Sequence, residues 1–280
     1  MSTDYQQDRQ ALGARLRELR TEAGIEGKAL AALLGWQPSK VSRLQTGRQT
    51  PTLADVTAWA EGVGRPEVVP ELRGRVTGME QKYRSWRRTL SSGHQARQEV
   101  AISETAATRE IRALDVARVP GLLQTAEYAR YVFKSGAEFS ESPRDTDDAV
   151  RARIRRQEAL YEPGRHFRFL IWEAALYVQT CPPDVLAGQL DRLSSVIGLD
   201  TVELGIIPLA APLRRAPSHG FWIYDQRLVI VETISTEMWL DDADSIALYE
   251  RAWEWLRESA LYETQARRLI GRARAAVDPS

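Results

Sequence analysis

The sequence predicts two domains of different class: a mainly α N-terminal domain of short helices, and an α+β C-terminal domain with a small, mostly antiparallel sheet flanked by helices. Three observations carry this. Leucines and alanines recur at three- and four-residue spacing through the first ~70 positions, with glycines at the breaks. Farther on, the runs 166–172, 202–207, 220–224 and 228–232 are rich in β-branched and aromatic residues and alternate with helical patterns, the mixed order of an α+β fold. The chain of 280 residues also exceeds one small module, at roughly 100–200 residues per domain. The expected boundaries are 1–70, a linker or connecting helix at 71–93, and 94–280.

In the N-terminal part, Leu12, Leu16, Leu19 and Ala23 mark one face of a first helix, and Gly24 stops it, because glycine reaches the left-handed conformation at little cost. A second helix at 28–34 turns Leu30, Ala31 and Leu34 inward and ends at Gly35. Gln37-Pro38 opens a third, since proline suits the first turn, where its missing N–H has no partner to lose. That helix runs to about Thr46, buries Val41 and Leu44, and leaves Ser39, Lys40, Ser42 and Arg43 outside. Gly47 closes it. Thr52 caps a fourth helix with Leu53, Val56, Trp59, Ala60 and Val63 inside.

Two short helices around a tight glycine turn, with a longer helix on each side, form a helix-turn-helix. Its second member is too polar for a core helix. No acidic residue occurs from Trp36 to Pro51, whereas Lys40, Arg43 and Arg48 are basic. Double-stranded DNA asks for this chemistry: arginine pairs bidentately with guanine O6 and N7, and hydroxyls bond bases or phosphates. The candidate DNA-contacting residues are Gln37, Ser39, Lys40, Ser42, Arg43, Thr46, Arg48 and Lys28, with Arg48 placed at the phosphate strand.

Composition sets limits on this reading. The 38 basic and 38 acidic side chains cancel, so nucleic-acid binding must rest on a local patch. A hydrophobic fraction of 43% is enough for a sizeable core. Cys181 is the single cysteine, which excludes an internal disulfide and fits a reducing cytoplasm. The polar start MSTDYQQDRQ is unlike a signal peptide, and no apolar run reaches the ~18 residues of a membrane helix.

The segment LAALLGWQPSKVSRLQTGRQTP resembles the Xre-type (lambda-repressor-like) helix-turn-helix family, over about residues 8–65. The resemblance implies that the helix holding Val41 is the recognition helix, with Gln37, Ser39 and Lys40 at its early exposed positions and Arg43 one turn later. Two departures stand out. Gly27 occupies the place of a DNA-touching Gln, and Gln45 stands where the family carries a Glu paired to an arginine of the first helix, here Arg20. A Gln still accepts a bond from Arg20 but without the charge-assisted part.

Farther along, VPGLLQTAEYAR (119–130), RARIRRQEALY (151–161), FLIWEAALY (169–177) and AGQLDRLSSV (187–196) resemble the second domain of the actinobacterial WhiJ-like, antitoxin-like transcriptional regulators. That resemblance implies a regulator of development or secondary metabolism, with a small partner protein encoded nearby.

On its own terms, the C-terminal part starts after a Gly-, Pro- and charge-rich stretch at 64–80, read as the domain boundary. Helices are expected at 82–90 and 95–109. Ile111, Leu114 and Val116 begin a sheet, and Pro120-Gly121 turns the chain into a helix through Tyr128 and Phe133. Residues 138–148 read as an acidic, mobile loop. A helix at 151–161 carries Arg151, Arg153, Arg155 and Arg156, read as a solvated face paired with Glu158 and Glu162, with flanking DNA phosphates as the other reading. Helices at 183–197 and from 243 to the end cover the sheet, and Asp241, Asp242 and Asp244 supply N-terminal charge to the last one.

Catalytic constellations are missing from the pattern. His94, His166 and His219 share no metal-ligand spacing with Cys181 or with paired carboxylates. Neither a phosphate loop nor a G-x-S-x-G elbow occurs. No cofactor and no catalytic residue is assigned, and the chain is read as a non-enzyme. Trp172, Glu173, Tyr177 and Trp222 are candidate ligand- or partner-contacting residues, with core or interface aromatics as the plainer reading. The sequence thus leads to a sequence-specific DNA-binding regulator acting as a homodimer, because one short helix contacts few bases. Two alternatives stay open: an antitoxin-like module that sequesters a small protein, and a regulator that senses a small molecule.

Overall fold

The structure is a computed structural model that describes residues 4–85 and 89–277. The chain forms two compact units, residues 1–83 and 84–280.

The first unit is helical: α1 (Asp4–Glu22), α2 (Gly27–Leu33), α3 (Pro38–Gln45), α4 (Leu53–Gly62), a single 3-10 turn (Pro66–Val68) and α5 (Val69–Lys82). Its core gathers Leu12, Leu16 and Leu19 of α1, Leu30 and Ala31 of α2, Val41 and Leu44 of α3, and Val56, Trp59 and Ala60 of α4. The glycine stops act as expected, since Gly24, Gly35 and Gly47 have φ of 67°, 65° and 63°. Thr52 caps α4 through a reciprocal capping box with Asp55. The stretch 71–93, expected as a linker or connecting helix, begins inside α5, which runs to Lys82. Leu72, Val76 and Met79 of α5 are buried in the helical core, because the pattern V-x-x-L-x-x-x-V-x-x-M from Val69 to Met79 keeps one face of α5 apolar despite its glycines and charges. The helix expected at 82–90 is likewise displaced, since Tyr83–Ser85 is a strand, β1; residues 86–88 lie outside the described residues.

The second unit runs α6 (Gly93–Ala106), β2 (Glu110–Asp115), α7 (Ala126–Phe139), α8 (Thr146–Arg156), β3 (His166–Trp172), α9 (Pro183–Val196), β4 (Val202–Ile207), β5 (Phe221–Tyr224), β6 (Leu228–Glu232), β7 (Thr236–Leu240), α10 (Ala243–Arg257), β8 (Leu261–Tyr262) and α11 (Glu263–Val277). The sheet order is β1-β7-β6-β5-β2-β3-β4-β8. It is mostly antiparallel, as expected, but with eight strands it is not small. Its middle is parallel: β2 pairs β3 with Ile111 opposite Phe167, and β3 pairs β4 with Phe169 opposite Leu204.

Strand alternation splits the core in two. Ile111, Phe167, Phe169, Leu204, Ile206 and Ile230 pack on one face with Leu186, Leu190 and Leu193 of α9 and Leu269 and Ile270 of α11. Leu114, Leu170, Ile207, Ile223, Val229 and Val231 point the other way, against Ile246, Trp253 and Leu256 of α10. Burial on both faces explains why β3, β4 and β6 read as near-continuous apolar runs.

Three further expectations change. The helix from 243 is broken after Arg257, where Leu261 and Tyr262 pair with Ile206 and Gly205; a side chain at Gly205 would meet the Tyr262 ring 2.7 Å away. The acidic stretch 138–148 is a loop only between Phe139 and Thr146. Within it, the Asp145 carboxylate accepts the backbone N–H groups of His94 (3.0 Å) and Gln95 (2.7 Å), which holds the start of α6. Residues 157–161 leave the α-helix for a 3-10 turn. Asp242 does cap α10, accepting the Ser245 N–H at 2.9 Å.

Candidate nucleic-acid interface

α3 is seated by its apolar residues and displayed by the rest. Val41 and Leu44 are 2% and 1% exposed, and the C-terminal turn of α3 lies directly on α1. A Cβ at Gly13 would come within 2.7 Å of the Leu44 carbonyl oxygen, and one at Gly47 within 2.9 Å of Gln10 Cα. Both glycines therefore permit backbone-to-backbone contact. Pro38 occupies the first turn, and Gln37 precedes it as N-cap without using its side chain to cap.

Gln37, Ser39, Ser42, Arg43, Thr46 and Arg48 are exposed along and just beyond α3, and Lys28 is exposed on α2. Arg43 donates through Nε to Gln49 Oε1 at 2.9 Å, and its terminal nitrogens have no hydrogen-bond partner among the described residues. Thr46 Oγ1 donates back to the Ser42 carbonyl at 2.8 Å, so its hydroxyl offers only acceptor capacity outward.

Lys40 differs from its neighbours. Its ammonium is 2.6 Å from Asp55 Oδ1 and 4.0 Å from the centre of the Trp36 ring. Burial works against the charged form of Asp55, but the bonds from Lys40 and Thr52 outweigh it and hold the carboxyl below its ordinary value. Lys40 thus ties α3 to α4 instead of standing free beside Arg43. The expected bond between Gln45 and Arg20 also does not form. The Arg20 guanidinium donates to the Ile25 carbonyl in the turn before α2, and Gln45 Nε2 is buried without a partner among the described residues.

The four candidate contact residues of the second unit do not converge. Trp172 packs with the α10 side of the sheet, whereas Trp222 lies on the opposite side, edge-on to Phe169 at 6.4 Å. Glu173 is 6% exposed and occupied: Oε2 accepts the Leu209 N–H at 2.9 Å, and Oε1 lies 3.4 Å from Arg272. Tyr177 is 36% exposed. Trp222 lines a cavity together with Arg153 and Arg156 of the basic helix and with residues that sequence reasoning passed over: Arg97, Asp115, Arg118 and Glu232. The RARIRRQ run was the available signal, but two of its arginines turn inward instead of forming a solvated face. Arg156 is 8% exposed, with Nε bonded to Thr105 at 2.7 Å, and Arg153 reaches Gln124 at 2.5 Å; Arg151 and Arg155 stay exposed and pair with Asp148 and Glu99.

Among the described residues no group of His, Cys, Asp and Glu is placed to hold a metal ion, and no helix is long and apolar enough to cross a membrane.

Residues 11–72 match the family described as Helix-turn-helix domain, and residues 97–272, more than half of the chain, match Domain of unknown function (DUF5753). No curated protein matches the chain in sequence. Among solved structures, NucT from Helicobacter pylori is similar at 11% identity over 65% of this chain and 97% of its own, with a TM-score of 0.34. TrmBL2, an archaeal chromatin protein whose structure shows a novel mode of DNA binding, is similar at 13% identity over 75% of this chain and 69% of its own, with a TM-score of 0.30. Likeness at this level carries no conclusion about this chain.

Proposed function

The chain belongs to the Domain of unknown function (DUF5753) family and carries a helix-turn-helix domain ahead of that region; from this premise we propose that it is a sequence-specific DNA-binding transcription regulator that reads the major groove with α3. One observation supports this above the others. α3 is anchored by two buried residues and two close-contact glycines, yet shows Gln37, Ser39, Ser42 and Arg43 to solvent with no acidic side chain from Trp36 to Pro51. A helix held this firmly and left this polar suits base edges, where Arg43 addresses guanine and the hydroxyls address bases or phosphates. Arg48 and Lys28 flank it as phosphate contacts that set register.

The proposal includes a homodimer of the Xre type, with two copies reading half-sites about 34 Å apart or multiples of that, and no catalytic step. Arg43 is assigned base reading, and Lys40 is moved from base reading to holding α3 against α4. Selection of bound fragments from genomic DNA by the purified full-length protein tests the reading. The expected result is a family of enriched sites with inverted symmetry. Retention of all fragments alike, or of none, would overturn sequence-specific recognition.

A further inference from the structure

A cavity of about 470 Å³ lies in the second unit between α6, α7, α8 and the face of the sheet that carries Trp222. Its size suits a small organic molecule. Four guanidinium groups reach it, from Arg97, Arg118, Arg153 and Arg156. Two of these have carboxylate partners. Arg97 donates through Nε to the fully buried Glu237 at 2.8 Å, and Arg118 lies 3.7 Å from Glu232.

Among the described residues no carboxylate comes within 4.0 Å of Arg153 or Arg156. Arg153 bonds the amide oxygens of Gln98 (3.2 Å) and Gln124 (2.5 Å). Arg156 bonds the hydroxyls of Thr105 (2.7 Å) and Tyr224 (3.2 Å). Neutral partners hold the two groups in place without cancelling their charge. Burial and the neighbouring Arg156 lower Arg153, but only to about 9, so it stays cationic at neutral pH. Burial meanwhile pushes Asp115 up to about 7 against the pull of Arg118, so this carboxyl brings less than a full negative charge to the cavity. A buried cation without a counter-ion is costly, and an anion entering from solvent relieves it.

The walls are aromatic. The Arg153 guanidinium stacks 4.1 Å from the Phe133 ring centre and that of Arg156 5.0 Å from Trp222, so each cation is backed by an apolar plate. His94 adds a buried ring nitrogen, Nε2, with no partner among the described residues.

We propose that this cavity binds a small aryl acid, with its carboxylate or phosphate between Arg153 and Arg156 and its ring against Phe133 and Trp222. This site does not depend on α3 reading DNA, and it is tested on the full-length protein without DNA. Phenyl phosphate, benzoate, inorganic phosphate and benzyl alcohol are titrated by calorimetry and thermal shift. At least one of phenyl phosphate and benzoate should bind and raise Tm, with at least about tenfold tighter binding than either benzyl alcohol or inorganic phosphate. Arg153→Gln should weaken that binding about tenfold or more, and Arg151→Gln, on the exposed side of α8, should leave it intact. In case Arg153→Gln does not fold, Phe139→Glu and Ile234→Glu place a like charge at the rim, where the parent residues are 73% and 83% exposed; each should weaken the aryl acid severalfold. No binding of either aryl acid to the parent, equal binding of the neutral alcohol, or undiminished binding by the folded variants would overturn the site.

Discussion

The Lys40 ammonium sits 2.6 Å from Asp55, the same carboxylate that accepts the Thr52 N–H at 3.0 Å to close the capping box of α4. One acidic side chain therefore fixes the start of α4 and the outward helix α3 together. Asp55→Ala removes both functions and should destabilise the protein by about 1–3 kcal/mol in chemical denaturation. The pH dependence has a definite sign. The folded Asp55 carboxyl lies below its ordinary value, so its contribution is present above the unfolded value of about 4 and is lost as pH falls through the folded one. Acid titration of stability should show this loss in the parent and not in Asp55→Ala.

Gly13 is where α1 admits α3. The Cβ of Gly13→Ala would sit 2.7 Å from the Leu44 carbonyl oxygen and 2.9 Å from that of Gln45, both backbone atoms that cannot rotate away. A loss of about 1–3 kcal/mol is expected. In α5, a Cβ at Gly74 meets nothing within 4 Å, so Gly74→Ala should stabilise the helix by about 0.5–1 kcal/mol. Thermal melts of the two variants, shifted in opposite directions, check the packing of the first unit.

Much of this architecture is legible along the chain, and the exceptions share a cause. β3 and β4 stand where the apolar runs 166–172 and 202–207 place them, because strands buried on both faces announce themselves by composition alone. β7 is hidden, because Glu237 interrupts its apolar character and is tolerated only by Arg97, 140 positions earlier. α5 looks like a linker by its glycines and charges, while the burial of Leu72, Val76 and Met79 depends on helices formed earlier in the chain. The inward turn of Arg156 is equally invisible locally, since its partners Thr105 and Tyr224 lie 51 and 68 positions away. Of the outward face of α3, by contrast, all but the ion pair of Lys40 follows from local periodicity.

The Arg97–Glu237 pair is buried, with side chains 10% and 0% exposed. Glu237→Ala leaves a buried guanidinium without its carboxylate, and should lower stability by about 3–5 kcal/mol. Urea unfolding measures it. A change under ~1 kcal/mol would show that water or another group replaces the carboxylate.

Asp115 gives the opposite pH sign from Asp55. Its folded value is raised to about 7 by burial, against Arg118 and with Glu232 adding repulsion. Between its ordinary value and that figure the folded state holds the extra proton, so stability declines as pH rises through this window. Asp115→Asn removes the effect. The Tm of Asp115→Asn minus that of the parent should be larger at about pH 8 than at about pH 5, and a difference that does not change with pH would contradict the assignment.

The central claim is that α3 reads base edges through Arg43. It is tested most directly by measuring, at one fixed salt concentration, the affinity of Arg43→Ala for an enriched site and for random DNA of equal length. The prediction is a loss of about 1–3 kcal/mol on the enriched site, a much smaller loss on random DNA, and an unchanged melting temperature. If the folded variant binds the enriched site as tightly as the parent, α3 is not the reading element.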